Sequence, residues 1–240
     1  MRRFYAPKEH FQEGSVKLSA EESRHMRDVL RLRPGSAVSV FDGEGSEFLA
    51  NIQQLERSFA LLTVVEKTSP KCPESDLDLT LAAAILKGEK FDMVVQKAVE
   101  LGVKTLVPLR TLRGDVKLRD EARRTDRWRK IAIEASKQTG RATLMKISEP
   151  AEFARVVNVN AGKAPVVMFT ERDGNSLPED AGFKRITALV GPEGGWDDSE
   201  IGSARDAGAI LVTLGGRILR AETAAIAVTA ILEHRFGDIR

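Results

Sequence analysis

The stretch from residue 186 to 228 constrains this chain more than any other. It reads ITALVGPEGGW, then DDSEIGSARDAGA, then ILVTLGGRILRAETAAIAV. Two short apolar runs, 186–190 and 209–214, carry Ile, Val and Leu without alternation. That is the pattern of a strand buried on both faces of a parallel sheet. Each run ends at glycines and is followed by a helical pattern, and Asp197 with Glu200 forms a D-x-x-E signature that starts the first of those helices. The loops Gly191-Pro192-Glu193-Gly194-Gly195 and Gly215-Gly216-Arg217 are therefore expected side by side at the carboxyl ends of two strands, where open α/β sheets bind ligands. Glycine there lets backbone N–H groups come close to a ligand.

The common nucleotide motifs do not fit this stretch. No G-x-x-x-x-G-K-[ST] is present, so a P-loop is not expected, and no G-x-G-x-x-G follows a strand, which weakens a Rossmann reading. Short loops between strand and helix are commonplace in α/β domains, so glycine content alone leaves open whether these are turns or a site.

The residues around the glycines narrow the choice. GPEGG at 191–195 and LGGRILRAETA at 214–224 closely resemble the last two motifs of the SPOUT methyltransferases. Within that superfamily the resemblance is to the RsmE family, which methylates N3 of a uridine in 16S ribosomal RNA. It covers almost the whole chain, through RHMRDVLRLRPG at 24–35, KGEKFDMVVQKAVELGV at 87–103, WRKIAIEASKQTGR at 128–141 and RFGD at 235–238. Two positions depart from the family pattern: Lys137 stands where an acid is frequent, and Leu112 where a Glu is frequent before Arg113. Both bear on RNA docking rather than on the cofactor.

The resemblance implies an α/β fold: a C-terminal SPOUT methyltransferase domain with a deep trefoil knot, after a small N-terminal PUA-like β-barrel that helps to hold RNA. It implies S-adenosyl-L-methionine as cofactor, 16S rRNA of the small ribosomal subunit as partner, and a homodimer. It places the cofactor against three loops: Phe169, Thr170 and Glu171; Leu189, Val190, Gly191, Pro192, Glu193, Gly194 and Gly195; and Leu214, Gly215, Ile218, Leu219 and Arg220. Methyl transfer to a uracil N3 also requires loss of the proton on that nitrogen. Arg220 precedes the last helix, and its charge would favour an anionic uracil. Glu193 and Glu222 are the candidate bases or orienting groups, although an acid such as Glu222 also suits the first turn of a helix for electrostatic reasons alone.

Length and composition are compatible with this reading. A chain of 240 residues, 42% hydrophobic and 30% charged, holds enough apolar sequence for a sizeable core but no run near the roughly 18 residues of a membrane span. MRRFYAPKEHF at the start has arginines without an apolar run behind them, so it is not read as a signal peptide. Cys72 is the only cysteine, which excludes an internal disulfide and fits a reducing cytoplasm. His10, His25 and His234 are scattered, so no metal site is expected.

Two domains are expected, 1–70 and 77–240, joined by EKTSPKCPESD at 66–76. In the first, Ser19 and Glu22 announce a capped helix that runs to Pro34, followed by strands at 37–41, 47–53 and 59–65 with a turn at Asp42-Gly43. Arg24, Arg27 and Arg31 crowd this helix, either as a solvated face or, as the resemblance implies, as phosphate contacts. In the second, strands at 77–86, 105–109 and 165–170 alternate with helices at 87–101 and 126–139, and Trp128 is expected in the core. Between Arg110 and Lys130 nine basic residues stand against four acids. Such a patch suits phosphate contact. Arg113, Lys117, Arg141 and Arg217 complete the RNA-binding candidates.

Two other functions compete. A ribose 2′-O methyltransferase of the same superfamily carries an Asn before an Arg in the first knot motif, where this chain has Phe-Thr-Glu-Arg. A non-catalytic RNA-binding assembly factor would not need intact cofactor loops.

Overall fold

A computed structural model describes residues 1–116, 120–160, 164–178 and 182–240. The chain forms two compact units, one of Met1–Glu74 with Ile133–Leu144, the other of Ser75–Ala132 with Met145–Arg240.

The first unit contains β1 (Arg3–Tyr5), β2 (Phe11–Gln12), β3 (Ser15–Leu18), α1 (Ala20–Arg24), β4 (Ala37–Phe41), β5 (Glu47–Leu55) and β6 (Ala60–Thr68). Its strands form a six-stranded sheet in the order β1-β4-β5-β6-β3-β2. β1 pairs parallel with β4, and every other pair is antiparallel. Two register shifts in the β5–β6 pairing, at Leu49/Ala50 and Ile52/Gln54, bend the sheet. Phe4, Val16, Leu18, Met26, Val38, Val40, Ile52 and Leu62 fill its core. The pairings leave β1 and β2 as edges, so the expected barrel is a curled open sheet.

The helix expected to run to Pro34 is shorter than the sequence pattern suggests. Ser19 accepts from the Glu22 backbone N–H at 3.2 Å, but the Glu22 carboxylate does not close the capping box; it takes the Lys137 ammonium at 2.9 Å. After Arg24 the helix widens into one π turn, His25–Val29, and Arg31 at φ +52° ends it.

The second unit contains β7 (Asp78–Ala84), α2 (Lys90–Glu100), β8 (Thr105–Arg110), α3 (Glu121–Thr139), β9 (Lys146–Ile147), β10 (Ala151–Glu152), α4 (Phe153–Asn160), β11 (Val166–Phe169), β12 (Arg185–Val190), α5 (Asp198–Asp206), β13 (Ile210–Val212) and α6 (Ala221–Phe236); the last turns of α3 belong with the first unit. The strands run parallel in the order β10-β8-β7-β12-β11-β13, with β9 also on β8. On one face Ala82, Met168 and Leu189 pack with Phe153 and Val156 of α4 and Ile201 and Ala204 of α5. Their strand neighbours Ala83, Val167 and Val190 are buried as well, so both faces are covered. The unalternating apolar runs have that cause. α6 packs on β7, β12 and α2. Trp128 is buried against Phe91 of α2, with ring centroids 4.6 Å apart, as expected of a core residue.

β12 and β13 are not neighbours, since β11 lies between them, although residues of both their glycine loops line one cavity. No helix among the described residues is long and apolar enough to cross a membrane.

Candidate functional site

Three parallel strands of the second unit end at one level. Phe169 at the end of β11 stands opposite Val190 of β12 on one side and Val212 of β13 on the other. The loops that leave these strands converge with the first turns of α6 around a cavity of about 290 Å³. Phe169, Thr170 and Glu171 form one wall, and the segment from Val190 through Gly191, Pro192, Glu193, Gly194 and Gly195 to Trp196 forms a second. Leu214, Arg217, Ile218 and Leu219 form the third, closed by Ala221, Ala224 and Val228 of α6.

Local chemistry fixes the second wall. The Trp196 indole is 1% exposed, and its Nε1 donates to the Phe169 carbonyl at 2.8 Å. That bond ties the loop after β12 to the end of β11. Gly195 has φ +71°, a backbone conformation that favours glycine, and a Cβ there would lie 2.7 Å from Glu171 Oε1 and displace that carboxylate. Asp197 closes a capping box on α5: its Oδ1 accepts from Ser199 N at 3.1 Å, and its own N–H donates to Glu200 Oε2 at 3.0 Å. Hydrogen bonds from the Ser199 hydroxyl and backbone, with a smaller contribution from the Arg113 guanidinium at 3.3 Å, hold the Asp197 carboxyl below the usual range. Glu200 Oε1 accepts from Leu112 N at 3.0 Å and so anchors the chain after β8 to the same loop.

The rim is polar. Glu193 pairs with Lys90, the first residue of α2, and the two border a recess that also holds Ile218, Leu219, Arg220 and Ala221. A further recess on the other side of Glu193 contains Lys87, Arg113 and Asp115. Lys87 and Asp115 pair at 2.8 Å, and that hydrogen bond holds the Asp115 carboxyl below its ordinary range and the ammonium above its own. Among the described residues, no group of three or more His, Cys, Asp or Glu is placed to hold a metal ion.

Comparison with known proteins agrees with this geometry. The profile of an RNA methyltransferase domain matches residues 73–233, and that of an RNA methyltransferase PUA domain matches residues 18–65. A ribosomal RNA small subunit methyltransferase E of Synechocystis sp. is 34% identical over 230 residues, covering 92% of this chain and 74% of that protein. The chain belongs to the ribosomal RNA small subunit methyltransferase E family. The Rickettsia conorii member is 30% identical over 97% of this chain and 94% of its own. The crystal structure of the Neisseria gonorrhoeae member bound to S-adenosyl methionine superposes with a TM-score of 0.91 at 33% identity, covering 100% of both chains. A Legionella pneumophila protein in complex with the same cofactor gives a TM-score of 0.88 at 31% identity, over 99% of this chain and 98% of its own.

Within the frame of this methyltransferase family, the structure sorts the candidate residues. Of the cofactor candidates, Leu189 lies beneath the cavity in the core, and Gly215 and Arg220 are off its wall, Arg220 facing the adjoining recess. Glu222 is also off the wall, with Oε2 buried and without a hydrogen-bond partner among the described residues. Arg217 is exposed and lines the cavity, and Arg113 reaches its outer rim. Arg24 and Arg31 are exposed on the first unit, whereas Arg27 pairs with Asp28 at 2.7 Å. Arg141 is a correction: it is 3% exposed, and Glu74 holds its guanidinium at 2.6 and 3.2 Å, so it is a structural cation out of reach of RNA. Lys117 lies outside the described residues.

Part of the basic run 110–130 is paired at the surface. Arg110 pairs with Glu121 and Glu152, Arg127 with Asp92, and Arg129 with Asp126 and Glu149. Sequence reasoning missed Trp196, Ala221, Ala224, Val228 and Lys90. The three α6 residues carried a signal, since a final helix with almost no polar face must be covered on more than one side. Lys90 carried none, because its neighbour Glu193 lies far away along the chain.

Proposed function

We propose that this protein transfers the methyl group of S-adenosyl-L-methionine to N3 of a uridine in 16S rRNA of the small ribosomal subunit. One observation carries the reading: a cavity walled by the ends of β11, β12 and β13, in a chain that superposes at a TM-score of 0.91 on a family member bound to that cofactor. The wall residues fit the group. Leu214, Ile218, Leu219, Ala224 and Val228 give an apolar side suited to an adenine ring, Gly191, Gly194 and Gly195 leave backbone groups accessible, and Glu171 and Glu193 offset a positive sulfonium.

Bound there, the cofactor supplies an electrophilic methyl group. The chain supplies position and charge. Holding two reactants in line can lower a barrier by about 7–11 kcal/mol in ideal cases. Trp196 and the α5 cap hold the second wall rigid for that purpose. Arg220 and Lys90 put positive charge where a uracil loses its N3 proton, and Glu193 beside them is the acceptor for that proton. Arg217 and Arg113 at the cavity rim, with Arg24 and Arg31 of the first unit, are the RNA contacts.

A trefoil knot belongs to this reading, and the pairing around Val212 supports it. Thr170 N donates to Val212 O at 2.9 Å on one edge of β13, while on the other Asn175 N donates to Leu211 O at 3.0 Å and Thr213 N to Asn175 O at 3.1 Å. The chain between Thr170 and Asn175 thus passes around the end of β13, across the path that strand takes on leaving the sheet. Gly174 permits the crossing, since a Cβ there would lie 2.5 Å from the Val212 carbonyl carbon. A homodimer working in the cytoplasm completes the proposal. Nucleoside mass spectrometry of small-subunit RNA treated with the protein and labelled cofactor tests it. The expected product is labelled 3-methyluridine; label in a ribose-methylated nucleoside, or none, overturns the reading.

A further inference from the structure

Glu193 occupies a special place at the mouth of the cavity. It borders the main cavity and both adjoining recesses, which no other described residue does. Its carboxylate is paired with Lys90, and each side chain of the pair is 39% exposed. Lys90 opens α2, an eleven-residue helix whose Glu89 N-cap makes no side-chain hydrogen bond. Arg220 borders the same recess. A carboxylate and an ammonium thus stand side by side, half in water, next to a slot of the right size for a methyl donor.

This pair matches one edge of one base. Uracil presents a carbonyl oxygen beside N3–H, an acceptor next to a donor, and the pair offers a donor next to an acceptor. Cytosine has no proton on N3, so its lone pair would face the carboxylate. We propose that Lys90 is a catalytic residue that binds a uracil carbonyl oxygen flanking N3 while Glu193 takes the N3 proton; this rests on the reading of the preceding subsection. As the N3–H bond breaks, its electron pair delocalises toward the carbonyl oxygens, and Lys90 stabilises the charge there. Glu193 then swings off the N3 axis and gives the proton to solvent, the N3 pair forms the bond to the methyl carbon, and the carbon–sulfur bond of the donor breaks with its pair going to sulfur. Before the base arrives, the ammonium and carboxylate satisfy each other. A pair this exposed is weak, so exchanging Glu193 for an imide oxygen costs little.

The test compares wild type with Lys90→Met and Lys90→Arg on small subunits reconstituted from unmethylated 16S transcripts, with uridine, 5-fluorouridine or cytidine at the position that wild type methylates. Fluorine acidifies N3 and lessens the need for an external charge. Lys90→Met is expected to lower single-turnover transfer to uridine by about 100-fold, to lower it much less on 5-fluorouridine, and to leave the dissociation constant for S-adenosylmethionine unchanged. Lys90→Arg restores part of the rate. Without donor, wild type binds the uridine subunit more tightly than the cytidine one by about tenfold, and Lys90→Met narrows that preference. An equal loss on uridine and 5-fluorouridine, or no loss, overturns the role of Lys90 while leaving N3 methylation standing. A wild-type protein that makes no 3-methyluridine overturns the underlying reading and this assignment with it.

Discussion

Gly195 lies in the second wall of the cavity at φ +71°, and a Cβ there would push the Glu171 carboxylate aside. Gly195→Val is expected to weaken S-adenosylmethionine binding by about 100-fold or more, since a left-handed conformation costs a branched residue roughly 1–2 kcal/mol and the side chain also fills the slot. Calorimetry measures the binding, and far-ultraviolet circular dichroism reports an unchanged fold. Gly194 is a poorer probe, because a Cβ there meets only the Arg113 Cβ and carbonyl, at 3.4 and 3.5 Å. Arg220 asks a different question. It lies off the cavity wall but beside Lys90 and Glu193, so Arg220→Ala should keep donor affinity and reduce transfer by about 100-fold. A loss of donor binding instead would make it a cofactor ligand.

At the scale of elements, β5 of the first unit carries a buried charge with a measurable pH signature. Glu47 is 2% exposed and accepts from Arg3 Nε at 3.0 Å and Arg3 Nη2 at 3.1 Å. Burial opposes its charge, but the Arg3 guanidinium and the Ser39 hydroxyl outweigh burial and hold the carboxyl below the usual range. The unfolded chain therefore takes up this proton first as pH falls. The stabilisation is full above the unfolded value, about 4.3, and is lost as pH falls through the lower folded value. Urea unfolding should show that decline below about pH 4. Glu47→Gln should be less stable at neutral pH by roughly 3 kcal/mol, through an uncompensated buried guanidinium, and should show a shallower acid decline. A variant with the wild-type acid profile would assign the decline to other groups.

The same elements show what the sequence could and could not disclose. β7, β8, β11 and β12 were legible because burial on both faces leaves an apolar run with no alternation. β1, β2, β9 and β10 were not, since two or three residues carry no period, and α4 lay in a segment without a clear cap. The early end of the first helix escaped notice because Arg31, not a glycine, takes the left-handed conformation that stops it.

For the whole molecule, order in the sheet decided what the motifs could not. The two glycine loops were visible as candidate ligand contacts, but β11 between their strands turned two loops into three and brought Phe169, Thr170 and Glu171 into the wall. Those residues entered the sequence reading only through the family resemblance. In the basic run 110–130, composition counts charges that folding pairs at the surface, as with Arg110, Arg127 and Arg129. Arg141 shows it in the first unit, where Glu74 withdraws from solvent a cation that composition alone would offer to RNA. A crystal structure of the protein with S-adenosylmethionine decides where the donor binds. Density for the donor is expected among Phe169, the Gly191-to-Gly195 loop, Ile218 and Leu219, with the methyl group toward Glu193. A donor bound elsewhere, or a cavity left closed at saturating concentration, would show that these loops do not form the methyl-donor site.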